Sequence, residues 1–364
     1  MSINFVLNEE QVQLRDSVRR WSAANGISAS KRGSDPALWS ELVELGVTMA
    51  GLPEELGGIG GDALDLAVIA EELGRELVRQ PFVDIAVAAA QILLEVAPDR
   101  LEAVIAGESL PMLAHDEPGA RGMLDWVQCS ADKTADGFVL NGRKTGLLGI
   151  DHADALIVSA RIDGELALFL VPVEAMHLIR YEALDGRSGA TVVLSDVPVQ
   201  PEALLEKSHR VLPVLSKAMS YAHVIAGAEA LGAMRGAFEA TRDYVAIRKQ
   251  FKQRIGDFQV IRHVLADMQT EIEQSQSLIW RAVAALSDDN ERESFAAAVK
   301  VKVSRAGRFV GDKGIQLHGG VGMTDEYAVG QYYKHLLVYS LRHGTPEDHL
   351  RRFASDMGAV AQAG

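Results

Sequence analysis

The sequence holds a single cysteine, Cys129. One thiol excludes an internal disulfide and fits a reducing compartment, where a lone cysteine serves as a small hydrophobe. No run of 18 or more apolar residues occurs, so no membrane-spanning helix is expected. Basic charge is in deficit: 36 Lys and Arg against 50 Asp and Glu give a net charge of −14. So acidic a chain binds a phosphate backbone poorly, which argues against a nucleic-acid partner. Any anionic ligand must be held by a local set of donors. The histidines form no HExxH motif and no His/Cys cluster at metal-ligand spacing, so no metal site is expected. The glycine run at 57–61 follows no strand and reads as a loop rather than a dinucleotide fingerprint. Charges near the start, at Glu9, Glu10 and Arg15, stand where a secretory signal requires an apolar stretch, and a cytoplasmic protein is expected.

What is present is globular composition over 364 residues, long enough for two or three domains with a large core. To about residue 110 the chain reads as helical. Leu14, Val18 and Trp21 recur at helical spacing, Asn8 before Glu9 and Glu10 reads as a helix start, and Leu42, Leu45 and Met49 continue the period. After the glycine-rich break at 53–62 a further helix runs through Leu64, Ile69, Leu73 and Leu77. From 111 to 206 short apolar runs are punctuated by turn pairs. Asn141-Gly142 is a hairpin signal, Asp163-Gly164 marks another turn, and 191–200 adds a strand. From 207 onward long helices are expected over 222–246, 262–287 and 291–315, and the tail after Met357 reads as frayed. The predicted fold class is α+β: an N-terminal helical domain (1–110), a small antiparallel β domain (111–206) and a C-terminal four-helix bundle (207–364).

Several segments carry a more specific signal. The start of the chain (5–21), the loop at 116–122 and the strand at 138–146 resemble parts of the acyl-CoA dehydrogenase family. The segments 248–268 and 316–327 are the most specific matches. The resemblance implies removal of two hydrogens from adjacent carbons of an acyl-CoA thioester. A glutamate takes the α proton, the β hydrogen leaves as hydride to FAD, and the forming enolate is stabilised. It further implies transfer of electrons to an electron-transferring flavoprotein.

Carried over residue by residue, the resemblance divides the chain. Arg342-His343-Gly344-Thr345 falls on the family's Tyr-Glu-Gly-Thr segment, which puts His343 at the position of the glutamate base. The family's other base position, on the first bundle helix, falls near Ala222. Positions 208–228 hold no acidic residue, and Glu229 lies two turns further on, about 10 Å away. In the flavin loop Asp116 replaces a hydroxyl donor and Gly122 a serine. Gly146 and Leu148 replace the family's tryptophan and threonine. A carboxylate at 116 has the wrong sign beside a ring that becomes negative on reduction. The residues that reach a neighbour's FAD are present: Arg248, Gln250, Phe251, Gln316, Gly319 and Gly320. Thr345 matches another FAD-contacting residue, although Glu347 stands where glutamine is usual. An Arg fork suits a pyrophosphate and glycine permits close backbone approach.

This pattern resembles the degenerate subunit of a heteromeric acyl-CoA dehydrogenase. Such a chain shares FAD with a catalytic partner in an α2β2 assembly. Two alternatives stay open. One is a self-sufficient homotetramer with His343 or Asp116 as an unusual base; the other is a flavin-free scaffold or acyl-CoA-binding module. His343 reads equally as a cap histidine beside Gly344, Arg248 as a solvated helix residue, and Gly319-Gly320 as a helix end. Asp325 and Glu326 read as the opening of the next helix.

Overall fold

Asn8 starts the first helix as its sequence suggests. Its side chain accepts from the Gln11 amide at 2.8 Å, and the Gln11 side chain accepts from the Asn8 amide at 3.1 Å. This reciprocal cap opens α1 (Glu9–Asn25). The computed structural model describes residues 6–26, 35–324 and 327–363. Asp35 caps α2 (Pro36–Glu44), and the glycine-rich break is a loop with one 3-10 turn. Asp62 and Asp65 cap α3 (Ala63–Arg75). A wholly buried π-helical stretch, Val83–Ala89, then runs into α4 (Ala90–Val96), and α5 (Leu101–Ile105) follows.

The strands are β1 (Pro111–Ala114), β2 (Ser130–Thr134), β3 (Gly137–Leu148), β4 (Ala155–Ile162), β5 (Glu165–Pro172), β6 (His177–Glu182), β7 (Ser188–Val199) and β8 (Leu204–Lys207). They form one sheet in the order β6-β7-β3-β2-β4-β5-β8, with β1 also against β4. Most pairs are antiparallel, but β1–β4 and β2–β4 are parallel, so the sheet is mixed. Asp163-Gly164 forms the β4–β5 turn, both residues having positive φ (53° and 86°). Asn141-Gly142 does not turn the chain. It lies inside β3 at a register irregularity, and the β2–β3 hairpin turns before Gly137. A Cβ on Gly142 would meet Cys129 Sγ at 2.3 Å, so this glycine serves a close strand approach. Cys129 itself is fully buried, and burial lifts its thiol to about 11.

The C-terminal part begins with α6 (Val211–Ile247), 37 residues long. A two-stranded hairpin follows, β9 (Lys249–Gln250) and β10 (Gln253–Arg254). Then come α7 (Gln259–Ala285), α8 (Arg292–His318), α9 (Ala328–Leu341) and α10 (Pro346–Ala363). Asp325 and Glu326 lie outside the described residues. The expected frayed tail is helical to Ala363. By length and composition α6 could cross a membrane, but 72% of its most apolar window is buried inside the protein. It is the axial core helix, packed on α3, α8 and α9. Two glycines bring α3 and α6 together: a Cβ on Gly232 would lie 1.8 Å from the Glu71 carbonyl, and one on Gly74 would lie 1.9 Å from that of Glu229.

Candidate functional site

The link between α9 and α10 carries His343 into the middle of the molecule. His343 (φ 55°) and Gly344 (φ 97°) both have left-handed backbone, which turns the chain sharply. Thr345 then caps α10, its hydroxyl donating to Asp348 Oδ2 at 2.8 Å. Two consecutive side chains thereby face two other parts of the fold. Arg342 pairs with Asp84 of the buried π-helical stretch. His343 Nδ1 lies 2.6 Å from Asp116 Oδ2, just beyond β1. Burial alone would raise the Asp116 carboxyl, but the His343 charge and hydrogen bond, with His115 and Arg342, hold it down at about 2. Asp116 is thus ionised and paired.

Asp116, His343, Gly146, Asp84, His115 and Met219 line a cavity of about 10 Å³, room for one water. Of the residues that the sequence comparison places at the base and in the flavin loop, His343, Asp116 and Gly146 meet at this point. Gly122 joins them, since a Cβ there would meet the His343 carbonyl at 2.6 Å. His343 Nε2 makes no hydrogen bond among the described residues.

Beneath this layer lies a satisfied buried ion pair. Lys144 Nζ donates to Glu117 Oε1 (2.7 Å), Ser159 Oγ (2.8 Å) and the His115 carbonyl (3.3 Å). Glu117 also accepts from the Gln128 and Cys129 amides at 2.6 and 3.1 Å. Burial and the Lys144 charge depress His115 to about 4, so its imidazole is neutral.

Sequence reasoning passed over three groups beside His343. His223 on α6 is one residue from the family's helix-borne base position, and its ring centroid lies 6.1 Å from that of His343. His349 on α10 sets its ring 4.8 Å from His223, nearly perpendicular, and its Nε2 donates to the His343 carbonyl at 2.9 Å. Lys300 on α8 is fully buried, and burial with the Arg342 charge pulls its ammonium down to about 7. These three residues lie on three separate helices, and only their helical periodicity was visible beforehand.

The remaining predicted site residues lie elsewhere. Tyr244 stacks on His318 at 4.4 Å, joining the end of α6 to the end of α8. Arg248, Gln250 and Phe251 follow the first end; Gln316, Gly319 and Gly320 stand at the second. All six are exposed, and the side chains of Arg248, Gln250 and Gln316 have no hydrogen-bond partner among the described residues. A Cβ on Gly319 or Gly320 would meet nothing within 4 Å. Phe251 and Lys252, at the hairpin tip, both have positive φ (50° and 69°), and Phe251 is 87% exposed. Left-handed backbone at a bulky aromatic is strained, and such strain collects at functional sites. Thr345 is apart from this cluster, beside His343, with its hydroxyl engaged in the α10 cap.

Comparison with known proteins identifies the family and the fold. The family model "Acyl-CoA dehydrogenase, N-terminal domain" matches residues 8–99, and "Acyl-CoA dehydrogenase, C-terminal domain" matches residues 212–358. The chain is 28% identical to acyl-CoA dehydrogenase IpdE2 of Mycobacterium tuberculosis, covering 96% of this chain and 98% of that one. It is 26% identical to the caffeyl-CoA reductase-Etf complex subunit CarC of Acetobacterium woodii, covering 81% and 83%. A solved variant of the Tcur3481-Tcur3483 steroid ACAD superposes with a TM-score of 0.88 at 27% identity, over 97% of this chain and 99% of that one. With both family models matched in order around the sheet, the chain belongs to the acyl-CoA dehydrogenase family, flavoproteins that oxidise a CH–CH bond.

Proposed function

We propose that this chain is the non-catalytic subunit of a cytoplasmic heteromeric acyl-CoA dehydrogenase, completing the FAD site of a catalytic partner. The observation that carries the reading is the contrast between two clusters. Around the Asp116 cavity an ion pair fills the space, one water fits, no aromatic face is offered and no carboxylate stands free as a base. Those residues do not fit an isoalloxazine ring. At the bundle end, Arg248, Gln250 and Gln316 are exposed donors whose side chains have no partner among the described residues, next to open glycine backbone. Those residues fit the phosphates and adenosine of an FAD held mainly by another chain.

In this reading Arg248 offers its guanidinium to the pyrophosphate, and Gly319 and Gly320 let backbone amides come close. Phe251 enters the partner surface from its strained tip. Bound FAD supplies the hydride acceptor, and the base belongs to the partner. An α2β2 assembly, an acyl-CoA substrate from lipid or steroid catabolism and an electron-transferring flavoprotein as acceptor are the expected company. CarC is a subunit of a caffeyl-CoA reductase-Etf complex and the Tcur3481-Tcur3483 protein is a steroid ACAD, which support this by analogy. The test is co-expression with a fuller homologue that carries a glutamate base. Arg248→Ala in this chain is expected to lower the FAD content of the complex without dissociating it. Unchanged FAD would instead favour a flavin-free scaffold.

One observation favours a second reading. Asp116 orients His343 through Nδ1 and leaves Nε2 free, the arrangement by which a carboxylate prepares an imidazole as a general base. Turnover of an acyl-CoA by the isolated chain, abolished in His343→Gln, would establish this alternative.

A further inference from the structure

A second cavity lies on the other side of Met219 from the Asp116–His343 pair, since Met219 lines both. Its volume is about 50 Å³, which admits on the order of three or four atoms of water size. Ser220 and His223 from α6, Glu293 from α8, and His349 and Arg352 from α10 supply its polar wall, and Leu124 covers one side.

His223 is 8% exposed, and its Nε2 has no hydrogen-bond partner among the described residues. A buried ring nitrogen without a partner is costly and asks for an occupant. The groups around it fix the sign of that occupant. Burial first, and then His349, His343, Lys300 and Arg352, oppose protonation of His223; His349 is itself held at about 3 and neutral, so the standing positive charge in the cavity wall is the Arg352 guanidinium. The cavity has one acidic wall residue, Glu293, and the Ser216 hydroxyl donates to it. Beyond Met219, Asp116 is paired with His343 and Asp84 with Arg342. The space takes a carboxylate and its α-carbon but is too small for a phosphate ester.

We propose that this cavity binds the carboxylate of a small organic acid or of a carboxylate-ended acyl chain, with Arg352, Ser220 and His223 as its donors. Entry of the anion relieves the positive field at His223 and lets that ring take up a proton, so binding strengthens as pH falls. Glu293 works against the ligand at the mouth. The inference is independent of where flavin sits in the assembly.

The experiment follows the His223 ring by NMR in the full chain labelled with 15N-histidine, the signal being assigned by its loss in His223→Asn. Acetate, succinyl-CoA and acetyl-CoA are titrated separately. A saturable shift with acetate identifies a free acid as sufficient, and a shift with succinyl-CoA alone identifies the end of an acyl chain. Arg352→Gln is expected to weaken binding about tenfold, and Glu293→Gln to strengthen it. The second variant decides the matter should the first fail to fold. No saturable shift with acetate or succinyl-CoA, an equal shift with acetyl-CoA, or indifference to Glu293→Gln overturns the proposal.

Discussion

The family resemblance implies a hydroxyl at position 116, where this chain has a carboxylate, and a carboxylate at 343, where it has an imidazole. The two exchanges answer each other, because the side chains meet at 2.6 Å. Sequence reading identified both positions but judged Asp116 by its charge alone; 227 residues separate the pair, and no local pattern discloses the contact. Asp116 has a folded pKa of about 2, below the unfolded value of about 3.9. Its contribution to stability is therefore complete above about pH 4 and is lost as pH falls toward 2. Asp116→Asn should remove that part of the acid-unfolding transition, measured by circular dichroism between about pH 5 and 2. An unchanged acid limb would show that the pair carries no stability. Lys144 poses a sharper case. Lys144→Met leaves Glu117 buried and uncompensated, and a loss of about 3–5 kcal/mol is expected in urea unfolding. The double variant Lys144→Met with Glu117→Leu should recover much of it.

Among the elements, the cap at Asn8, the turn at Asp163-Gly164 and the long bundle helices were legible from residue type and period. The Asn141-Gly142 pair misled because a glycine with positive φ serves a turn or a strand irregularity equally well. What decides between them is the neighbour, here Cys129. Gly142→Ala should accordingly cost more than Gly164→Ala, although both positions have positive φ, because only the first adds a clash. Matched thermal melts of the two variants check this, and equal losses would contradict it. The approach of α3 and α6 makes the same point. Gly232→Ala drives a Cβ into the Glu71 carbonyl, so a loss of about 1–3 kcal/mol is expected where helix propensity alone predicts a gain.

The parts of the molecule join through the packing of α3 on α6 and, at the centre, through the short link that carries residues 342–345. Arg342 ties the bundle to the N-terminal helices, His343 ties it to the sheet, and the central cavity between them is closed by charge pairs. At the end of the bundle the exposed donors have no side-chain hydrogen-bond partner among the described residues, and the Phe251 tip faces outward with Phe258 at its edge. The order of helices, strands and helices could be read from the sequence. The reciprocal Asp116–His343 pairing and the convergence of His223 with His349 could not, because they depend on how four elements meet. Phe251→Ala should leave the isolated chain as stable as before and weaken its assembly with a catalytic partner, as measured by sedimentation; unaltered assembly would remove the hairpin from the interface. The central claim is tested most directly by the visible absorption spectrum of this chain purified alone and then with its partner. The account predicts a colourless chain and a yellow, active complex. About one flavin bound per isolated chain would contradict it.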